Sequence, residues 1–219
     1  NFHFAPTVRA VNNLIRENIK KKNIFLTGNT VVDAIKIFKK KKKIKTNLSE
    51  KNFIFITCHR RENYINYKKL IENIIITAKR LKTVQIKFLT HPGVLKFKSI
   101  KKKIYDLNKY SNVKIYYHLS YFQCLSLISN SNFIISDSGG IQEEAPSFKK
   151  FVFVIRNYTE RLESIENKVS KFVKFENNEI FKIIKKNNNL KNLYKKNIKN
   201  PYGDGLASKR IKKVIDKII

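Results

Sequence analysis

The chain has no methionine or tryptophan and only two cysteines among its 219 residues. Cys58 and Cys124 have neither CxxC spacing nor a His/Cys cluster around them, which argues against a disulfide framework and a cysteine-based metal site. They favour a reducing, cytoplasmic setting. No run approaches the ~18–20 apolar residues needed to span a bilayer. The opening NFHFAPT lacks the pattern of a signal peptide, and the missing methionine suggests that residue 1 is not the natural start.

Acidic residues are also scarce. The chain has 16 Asp and Glu against 47 Lys and Arg, which gives a formal net charge of +31. Such an excess is typical of proteins that bind nucleic acid or an anionic membrane. The lysines, however, stand in runs without interleaved aromatic residues, at 20–22, 39–43 and 101–103. Because Lys, Asn, Ile, Phe and Tyr all have A/T-rich codons, codon bias is the favoured explanation, and polyanion binding is the alternative.

The rest of the chain alternates short apolar runs with helix-like segments, and 42% of its residues are hydrophobic. Nearly continuous apolar strands are typical of sheets that helices cover on both faces. The sequence therefore predicts an α/β fold, a doubly wound, Rossmann-like parallel sheet. The predicted strands are 24–27, 53–57, 85–90, 113–117, 132–136 and 151–155. The predicted helices are 30–39, 67–81, 94–110, 121–130, 141–148, two short surface helices within 176–199, and 206–219. A Lys/Asn-rich connector reaches residue 52.

Loops with ionisable residues or glycine follow four of these strands. The loops are CHRREN, HPG, DSGGIQEE and RNYTERLE. Parallel strands end at the same edge of a sheet, where open α/β sheets bind ligands, so these loops are expected to form one site. Their chemistry suits a phosphorylated ligand. The candidate residues are His59, Arg60, Arg61, His91, Ser138, Gly139, Gly140, Glu144 and Arg161.

The segment DSGGIQEEAP carries the most specific pattern. Ser138 can cap the next helix, while Gly139 and Gly140 let a ligand approach free N–H groups at the positive end of the helix dipole. Glu144, about one turn later, can accept hydrogen bonds from a ribose diol. The alternative is a capped strand-to-helix turn in which glycine serves packing only.

The other three loops each allow two interpretations. In HRREN, His59 can move a proton and the arginines can bind phosphate, or His59 can cap a helix while Arg60, Arg61 and Glu62 form a surface ion network. In RNYTERLE, Arg161 can neutralise a diphosphate or take part in i,i+4 surface pairing. His91, before Pro-Gly, can contact a ligand or stabilise the turn. No group of residues suggests a metal site.

Taken together, TGNTVVDAI, HRREN, HP, DSGGIQEEAP, TERLE and NPYGDG resemble the non-hydrolysing UDP-N-acetylglucosamine 2-epimerases, in order and in spacing, over essentially the whole chain. The resemblance implies a glycosyltransferase-B-type architecture with an active site between two Rossmann-type domains. This chain resembles the C-terminal, UDP-binding domain. Residues 1–22 would be the end of an otherwise absent N-terminal domain, 23–205 the UDP-binding domain, and 206–219 a helix that packs back toward the first domain.

The resemblance also implies roles for individual residues. His59 would lie at the catalytic centre. The residues that would hold UDP are Ser138, Gly139, Gly140, Glu144 and Arg161, with Arg161 on the phosphates. The positions that resemble a regulatory site for a second UDP-GlcNAc are Arg60, Glu62 and His91. No metal or redox cofactor is implied.

Three departures from the family pattern bear on binding. Leu162 replaces the proline of TERPE, Ile65 and Asn66 stand where a glycine follows HRREN, and Cys124 stands where a ring near the uracil is expected. The carboxylates that the family uses for proton transfer belong to the domain that the chain lacks. Without that domain the chain is expected to bind UDP but to turn over poorly or not at all. The expected partner is a second copy of the chain, in a homodimer, or an N-terminal-domain partner.

The implied reaction interconverts UDP-GlcNAc and UDP-ManNAc. It removes the proton at C2, expels UDP to leave a 2-acetamidoglucal, and re-adds UDP after protonation from the opposite face. Two alternatives remain at this stage. One is a nucleotide-sugar glycosyltransferase domain, and the other is a non-catalytic basic module that binds nucleic acid.

Overall fold

A computed structural model describes residues 1–40, 53–187 and 199–217. Within these ranges no helix has both the length and the apolar character needed to cross a membrane. The helices and strands, in chain order, are β1 (His3–Ala5), α1 (Val8–Arg16), β2 (Ile24–Leu26), α2 (Thr30–Lys40), β3 (Phe53–Cys58), α3 (Tyr67–Arg80), β4 (Gln85–Thr90), α4 (Lys98–Asp106), β5 (Val113–Tyr116), α5 (Tyr121–Asn130), β6 (Phe133–Ser136), α6 (Gly139–Glu144), β7 (Val152–Val154), α7 (Leu162–Glu166), β8 (Ser170–Phe172), α8 (Glu179–Asn187) and α9 (Ala207–Ile215).

The chain forms two compact units, and the larger one, Thr46–Lys196, contains a parallel sheet of six described strands. Their spatial order is β5-β4-β3-β6-β7-β8. Numbered from β3, this is the 3-2-1-4-5-6 order of the Rossmann fold. The predicted α/β, doubly wound, Rossmann-like class is therefore confirmed. The order reverses between β3 and β6, which pair directly.

The centre of this sheet is entirely buried, which explains why its strands show no polar alternation. All six residues of β3 are buried, as are the four residues of β6. Helix α3 covers one face with Leu70, Ile71 and Ile74, each fully buried. Burial of such side chains typically contributes ~1.5–3 kcal/mol each, so α3 is held by its apolar face.

Some predicted elements differ from the observed ones. The predicted helix 94–110 is divided into a 3-10 turn at Pro92–Lys96, helix α4, and a second 3-10 turn at Leu107–Lys109. The predicted helix 141–148 starts earlier, at Gly139, and changes to a 3-10 turn at Ala145–Phe148, which contains Pro146. Proline removes a backbone donor, which favours this tightening. The predicted connector 40–52 lies, from residue 41 on, outside the described residues.

The region after β7 holds one further difference. Strand β8 was not predicted, since its three residues include the exposed Lys171. Helix α8 lies at the surface as predicted, since its lysines are exposed, but its apolar face, with Ile180 and Ile184 fully buried, packs on α3. Residues 188–198 of that predicted pair of helices lie outside the described ranges.

The smaller unit joins Asn1–Lys45 to Asn197–Ile219. In it β1 pairs with β2, and α2 contacts α9. The turns TGNT and NPYGDG meet backbone to backbone: Gly28 has φ 86° and Gly203 φ 132°, and a Cβ on Gly203 would lie 3.3 Å from the Gly28 Cα. The edges of this unit do not coincide with the boundaries predicted at residues 22 and 205, because β2 and α2 belong with β1 and α9.

Asn112 joins three parts of the larger unit. Asn112 is buried, and its side-chain amide donates to the carbonyls of Ala78, Leu81 and Val84 at 3.3, 3.3 and 3.0 Å. We expect Asn112→Ala to lower the free energy of unfolding by about 1–3 kcal/mol, because buried carbonyls lose their donor. Urea unfolding measures this loss. Asn108→Ala, at an exposed position, should change it by less than ~0.5 kcal/mol. Equal effects would contradict the assigned role.

Candidate active site

The predicted site residues follow four neighbouring strands at their carboxyl ends. His91 follows β4, His59 follows β3, Ser138 follows β6, and Arg161 follows β7. Strands β3 and β6 flank the point where the strand order reverses, and open α/β sheets leave a crevice for ligands there. The candidate residues thus lie at one edge of one sheet.

A buried carboxylate connects the loops after β3 and β6. Asp137 is fully buried, and its Oδ1 accepts the His59 backbone N–H at 2.8 Å. Its Oδ2 accepts the Arg60 backbone N–H at 2.9 Å and the Asn63 side-chain N–H at 2.8 Å. Asn63 also donates to the carbonyl of Ile155 at 3.1 Å. The ends of β3, β6 and β7 are therefore tied together.

His59 is held from two sides. Its Nε2 shares a hydrogen bond with the hydroxyl of Thr57, and its ring makes an edge contact with the His91 ring at 5.8 Å between centroids. Burial lowers the pKa of His59, Asp137 raises it, and His91 lowers it further, with a net decrease. The imidazole is therefore neutral near pH 7 and able to accept a proton. It does not cap a helix, since the following 3-10 turn has Arg60 at its N-cap.

His91 stabilises its own turn. Its Nδ1 accepts the backbone N–H of Gly93 at 3.0 Å and contacts the hydroxyl of Tyr64 at 2.8 Å. Nδ1 is thus an acceptor, and the hydroxyl donates to it. A Cβ on Gly93 would overlap that hydroxyl and lie 2.9 Å from His91 Nδ1, so any larger residue there would displace the hydroxyl of Tyr64 or the His91 ring. The turn-stabilising interpretation of His91 agrees with this geometry.

The two glycines at the start of α6 differ in their surroundings. Ser138 caps the helix by accepting the Ile141 N–H at 3.4 Å. A Cβ on Gly139 would lie 3.2 Å from Glu160 Oε1, with Arg60 and Arg161 next nearest. A Cβ on the exposed Gly140 would meet only Ser138 Oγ within 4 Å among the placed residues, at 3.8 Å. Packing of the described residues therefore does not require glycine at position 140.

Glu160 lies among three arginines of the neighbouring loops. Its Oε1 is 2.8 Å from Arg60 Nη2 and 3.9 Å from Arg161 Nη1, while its Oε2 is 2.8 Å from Arg156 Nη1. Arg156, whose side chain is only 3% exposed, also pairs with Glu62 at 3.3 Å. Arg60 and Glu62 thus belong to an ion network, as in the structural alternative, but they pair with Glu160 and Arg156. Arg61, the third member of that alternative, begins the 3-10 turn at an exposed position. The i,i+4 pair of this loop is Arg156–Glu160.

Arg161 is held from α6. Its Nε forms a short ion pair with Glu143 Oε1, and its backbone N–H is accepted by the Thr159 hydroxyl at 3.1 Å. That hydroxyl in turn donates to the fully buried Gln142 at 3.0 Å. Helix α6 therefore sets the position of the loop after β7, and the side chain of Arg161 passes Gly139, with its Cγ 3.9 Å from where a Cβ on that glycine would lie.

Glu144 faces α5 and not the arginines. Burial raises its pKa to about 7, while a hydrogen bond from the Tyr121 hydroxyl lowers it and the charge of Glu143 raises it. Burial and the charge of Glu144 also raise the pKa of Cys124 to about 12, so this thiol is protonated. Cys124 provides no ring where the family pattern has one. An aromatic ring is present one turn earlier on the same helix, at Tyr121, which is 46% exposed.

The other departures have plain structural outcomes. Leu162 begins α7, with Arg161 at the N-cap, and the first position of a helix accepts proline or another residue. Ile65 and Asn66 continue the 3-10 turn Arg61–Asn66, in which Ile65 is 84% exposed. Neither position has a positive φ, so neither requires glycine.

Sequence reasoning missed five residues of this region. The missed residues are Asn63, Tyr121, Asp137, Glu143 and Glu160. A usable signal existed for two of them, because Asp137 is the first residue after a buried strand and Asn63 ends the HRREN segment. The partners of Glu143 and Glu160 depend on how α6 packs against the loop after β7. In the ranges that the structure describes, no group of three or more His, Cys, Asp and Glu side chains is placed to hold a metal ion.

Comparison with known proteins gives one consistent result. The family model for UDP-N-acetylglucosamine 2-epimerase matches residues 1–216. The UDP-N-acetylglucosamine 2-epimerases of Salmonella borreze and Campylobacter jejuni are 40% and 37% identical, over 96% and 99% of this chain and 59% and 61% of their own lengths. A crystal structure of UDP-GlcNAc 2-epimerase from Neisseria meningitidis, bound to UDP-GlcNAc, superposes with a TM-score of 0.86 at 36% identity.

That superposition covers 99% of this chain and 61% of the Neisseria chain. The chain therefore spans about three fifths of the length of these relatives. With a family match over nearly its whole length, a Rossmann-like strand order and the motif residues gathered at one sheet edge, the chain belongs to the UDP-N-acetylglucosamine 2-epimerase family.

Proposed function

We propose that this chain is the UDP-binding half of an isomerase that interconverts UDP-GlcNAc and UDP-ManNAc by elimination and re-addition of UDP. The observation that carries the proposal is the geometry at the switch point of the sheet. The side chain of Arg161 passes the start of α6, and the backbone N–H of His59 binds Asp137, the residue before Ser138. Membership of the epimerase family supports it, and the Neisseria relative was solved with UDP-GlcNAc bound.

The diphosphate would lie at the start of α6. Gly140 is exposed and the packing of its described neighbours does not require glycine there, which fits close approach of a ligand to the backbone. Arg161 would supply a guanidinium fork to the phosphates. When the bond from C1 to UDP breaks, negative charge develops on the leaving phosphate, and these groups stabilise it.

The nucleoside would extend toward α5. Glu144 would accept hydrogen bonds from the ribose diol, with the ring of Tyr121 beside it. Because Glu143 and Glu144 are consecutive and face different partners, one helix would serve both ends of the nucleotide. Glu143 holds the arginine for the phosphates, and Glu144 takes the ribose.

His59 would act at the reacting centre. Burial keeps its imidazole neutral near pH 7, so it can take up or pass on a proton near the sugar. Arg60, Glu62 and His91 would form the edge of a regulatory site for a second UDP-GlcNAc. Arg60 would connect that site to the UDP site, since it shares the Glu160 carboxylate with Arg161.

The remaining chemistry would need groups from outside this chain. The proton-transferring carboxylates would come from an N-terminal domain. The partner of the chain would be a second copy, in a homodimer, or a protein that carries this domain. Neither a metal nor a redox cofactor takes part in this scheme. The free thiols of Cys58 and Cys124 support a reducing, cytoplasmic setting. A nucleotide-sugar glycosyltransferase is the second candidate, since it would use the same UDP cradle but require an acceptor.

Replacement of Arg161 tests the phosphate site. We expect Arg161→Ala to weaken UDP binding about 10- to 100-fold in titration calorimetry, because a charge-assisted hydrogen bond contributes ~1.5–3 kcal/mol. His59→Ala should bind UDP as the parent chain does, because the imidazole would act on the sugar.

Arg80→Ala is the matched control, since Arg80 lies in the last turn of α3 and carries the same charge. It should leave the UDP affinity unchanged. Equal losses in both arginine variants would show a general charge effect and not a site. Duplex DNA, titrated at two salt concentrations, tests the remaining alternative. DNA binding with a steep salt dependence and no heat from UDP would overturn the proposal.

The raised pKa of Glu144 predicts a pH dependence of UDP binding. Below about pH 7 this carboxyl is protonated and loses acceptor capacity, so the affinity for UDP should rise from pH 6 to pH 8. If only the ionised form accepts the ribose, the gain is at most about tenfold, as expected for a group titrating in the middle of this interval. Calorimetry at both pH values measures it.

Glu144→Gln is the control for this dependence. Glutamine does not titrate, so the UDP affinity of this variant should lack the part of the pH dependence that is due to the Glu144 carboxylate. Titration of the UDP phosphate affects parent and variant equally. Tyr121, Cys124 and Glu143 are the titratable groups around Glu144, and the first two titrate well above pH 8. Parallel pH curves for parent and variant would contradict the ribose assignment.

A further inference from the structure

We propose that Asp137 is a positioning residue, which holds His59 and Arg60 in place for the reaction by binding their main chain. The inference rests on the proposed function in one respect, because that function gives His59 its role in catalysis. Asp137 directly precedes Ser138, but it is not among the residues assigned to UDP or to the regulatory site.

The geometry of the carboxylate supports this role. Asp137 Oδ1 accepts the His59 N–H at 2.8 Å, and Oδ2 accepts the Arg60 N–H at 2.9 Å and an Asn63 side-chain N–H at 2.8 Å. The Cys58 thiol approaches Oδ2 at 3.2 Å. Both oxygens are therefore used, each toward the loop that follows β3.

The environment requires a carboxylate at this position. Asp137 is fully buried, and among the residues described it has no Lys, Arg or His within ion-pair distance. A buried charge is costly unless hydrogen bonds compensate it, so these N–H groups and the carboxylate depend on one another. An asparagine of the same shape would turn an NH2 group toward at least one of the donors.

The carboxylate of Asp137 has two effects on His59. Residues 59 and 60 lie outside any helix or strand, so their backbone is fixed here by Asp137 and not by a ladder of hydrogen bonds. The charge of Asp137 also raises the pKa of the imidazole, against burial and the neighbouring His91, which lower it. A change at Asp137 therefore reaches both the position and the protonation of His59.

The test uses NMR of the full chain and the variant Asp137→Asn. Exchange should become about tenfold faster or more for whichever of the His59 and Arg60 amide protons faces the new NH2 group, because that amide loses its hydrogen bond to a charged group. The other amide would keep only a neutral acceptor. The pKa of the His59 imidazole should fall below that of the parent. Asp106→Asn removes the same charge from the last residue of α4, where the side chain is 39% exposed, and it should change neither quantity.

Asn63→Ala separates the carboxylate from the packing of the loop. This variant removes one donor but keeps the charge and both backbone hydrogen bonds, so the His59 pKa should stay close to that of the parent. If Asn63→Ala lowers this pKa as much as Asp137→Asn does, loop packing is responsible and the proposal fails. An unchanged pKa and unchanged exchange in Asp137→Asn would also overturn it.

The parent chain provides a test that does not depend on folding of the variants. Its His59 and Arg60 amides should be protected from exchange although they lie in a loop, and exchange at the rate of exposed loop amides would contradict the proposal. None of these measurements needs a ligand. Failure of UDP binding would therefore reject the proposed function and leave the result on Asp137 standing.

Discussion

The parallel pairing of β3 with β6 is the constraint on which the candidate site depends. It brings together segments separated by 78 residues, so that the backbone of His59 meets the carboxylate of Asp137. The pairing also creates the reversal of strand order, which leaves an open crevice at the carboxyl ends. Every other feature of the site is arranged around this junction.

Charge at the site is balanced locally although the chain as a whole is strongly basic. The net charge of +31 arises mainly from lysines, whereas arginines provide the described ion pairs at the site. Arg60, Arg156 and Arg161 each contact a glutamate. The lysine-rich composition is therefore a poor guide to the class of ligand. The positions of the few arginines are a better one.

Much of the fold follows from local pattern. Helix α5 was predicted at its observed bounds, Tyr121–Asn130, and in the structure Ser120 and Gln123 form a capping box at its start. Strands β3, β4 and β6 were found because they are short, apolar and flanked by polar loops. Strand β8 was missed since its three residues carry no such pattern, and it is held by pairing with β7. The burial of α8 likewise depends on α3, far away in sequence.

The site was predictable in its parts but not in its connections. The motif segments and their meeting at one edge follow from the strand pattern, and the proposed ligand class follows from the residue types. Which of two adjacent glutamates faces the arginine, and which faces Tyr121, depends on the rotation of α6, a helix of six residues. The turn role of His91 depends on the position of Tyr64.

Glu160 neutralises part of the positive charge of the arginines at the candidate site. Its carboxylate already satisfies Arg60 and lies within reach of Arg161, while Glu143 holds the other side of that guanidinium. If the proposed function is right, a diphosphate bound here would enter a neutralised cluster and displace the resident carboxylates from the arginines. Binding would then substitute one anion for another, and release of the nucleotide would restore the internal pairs.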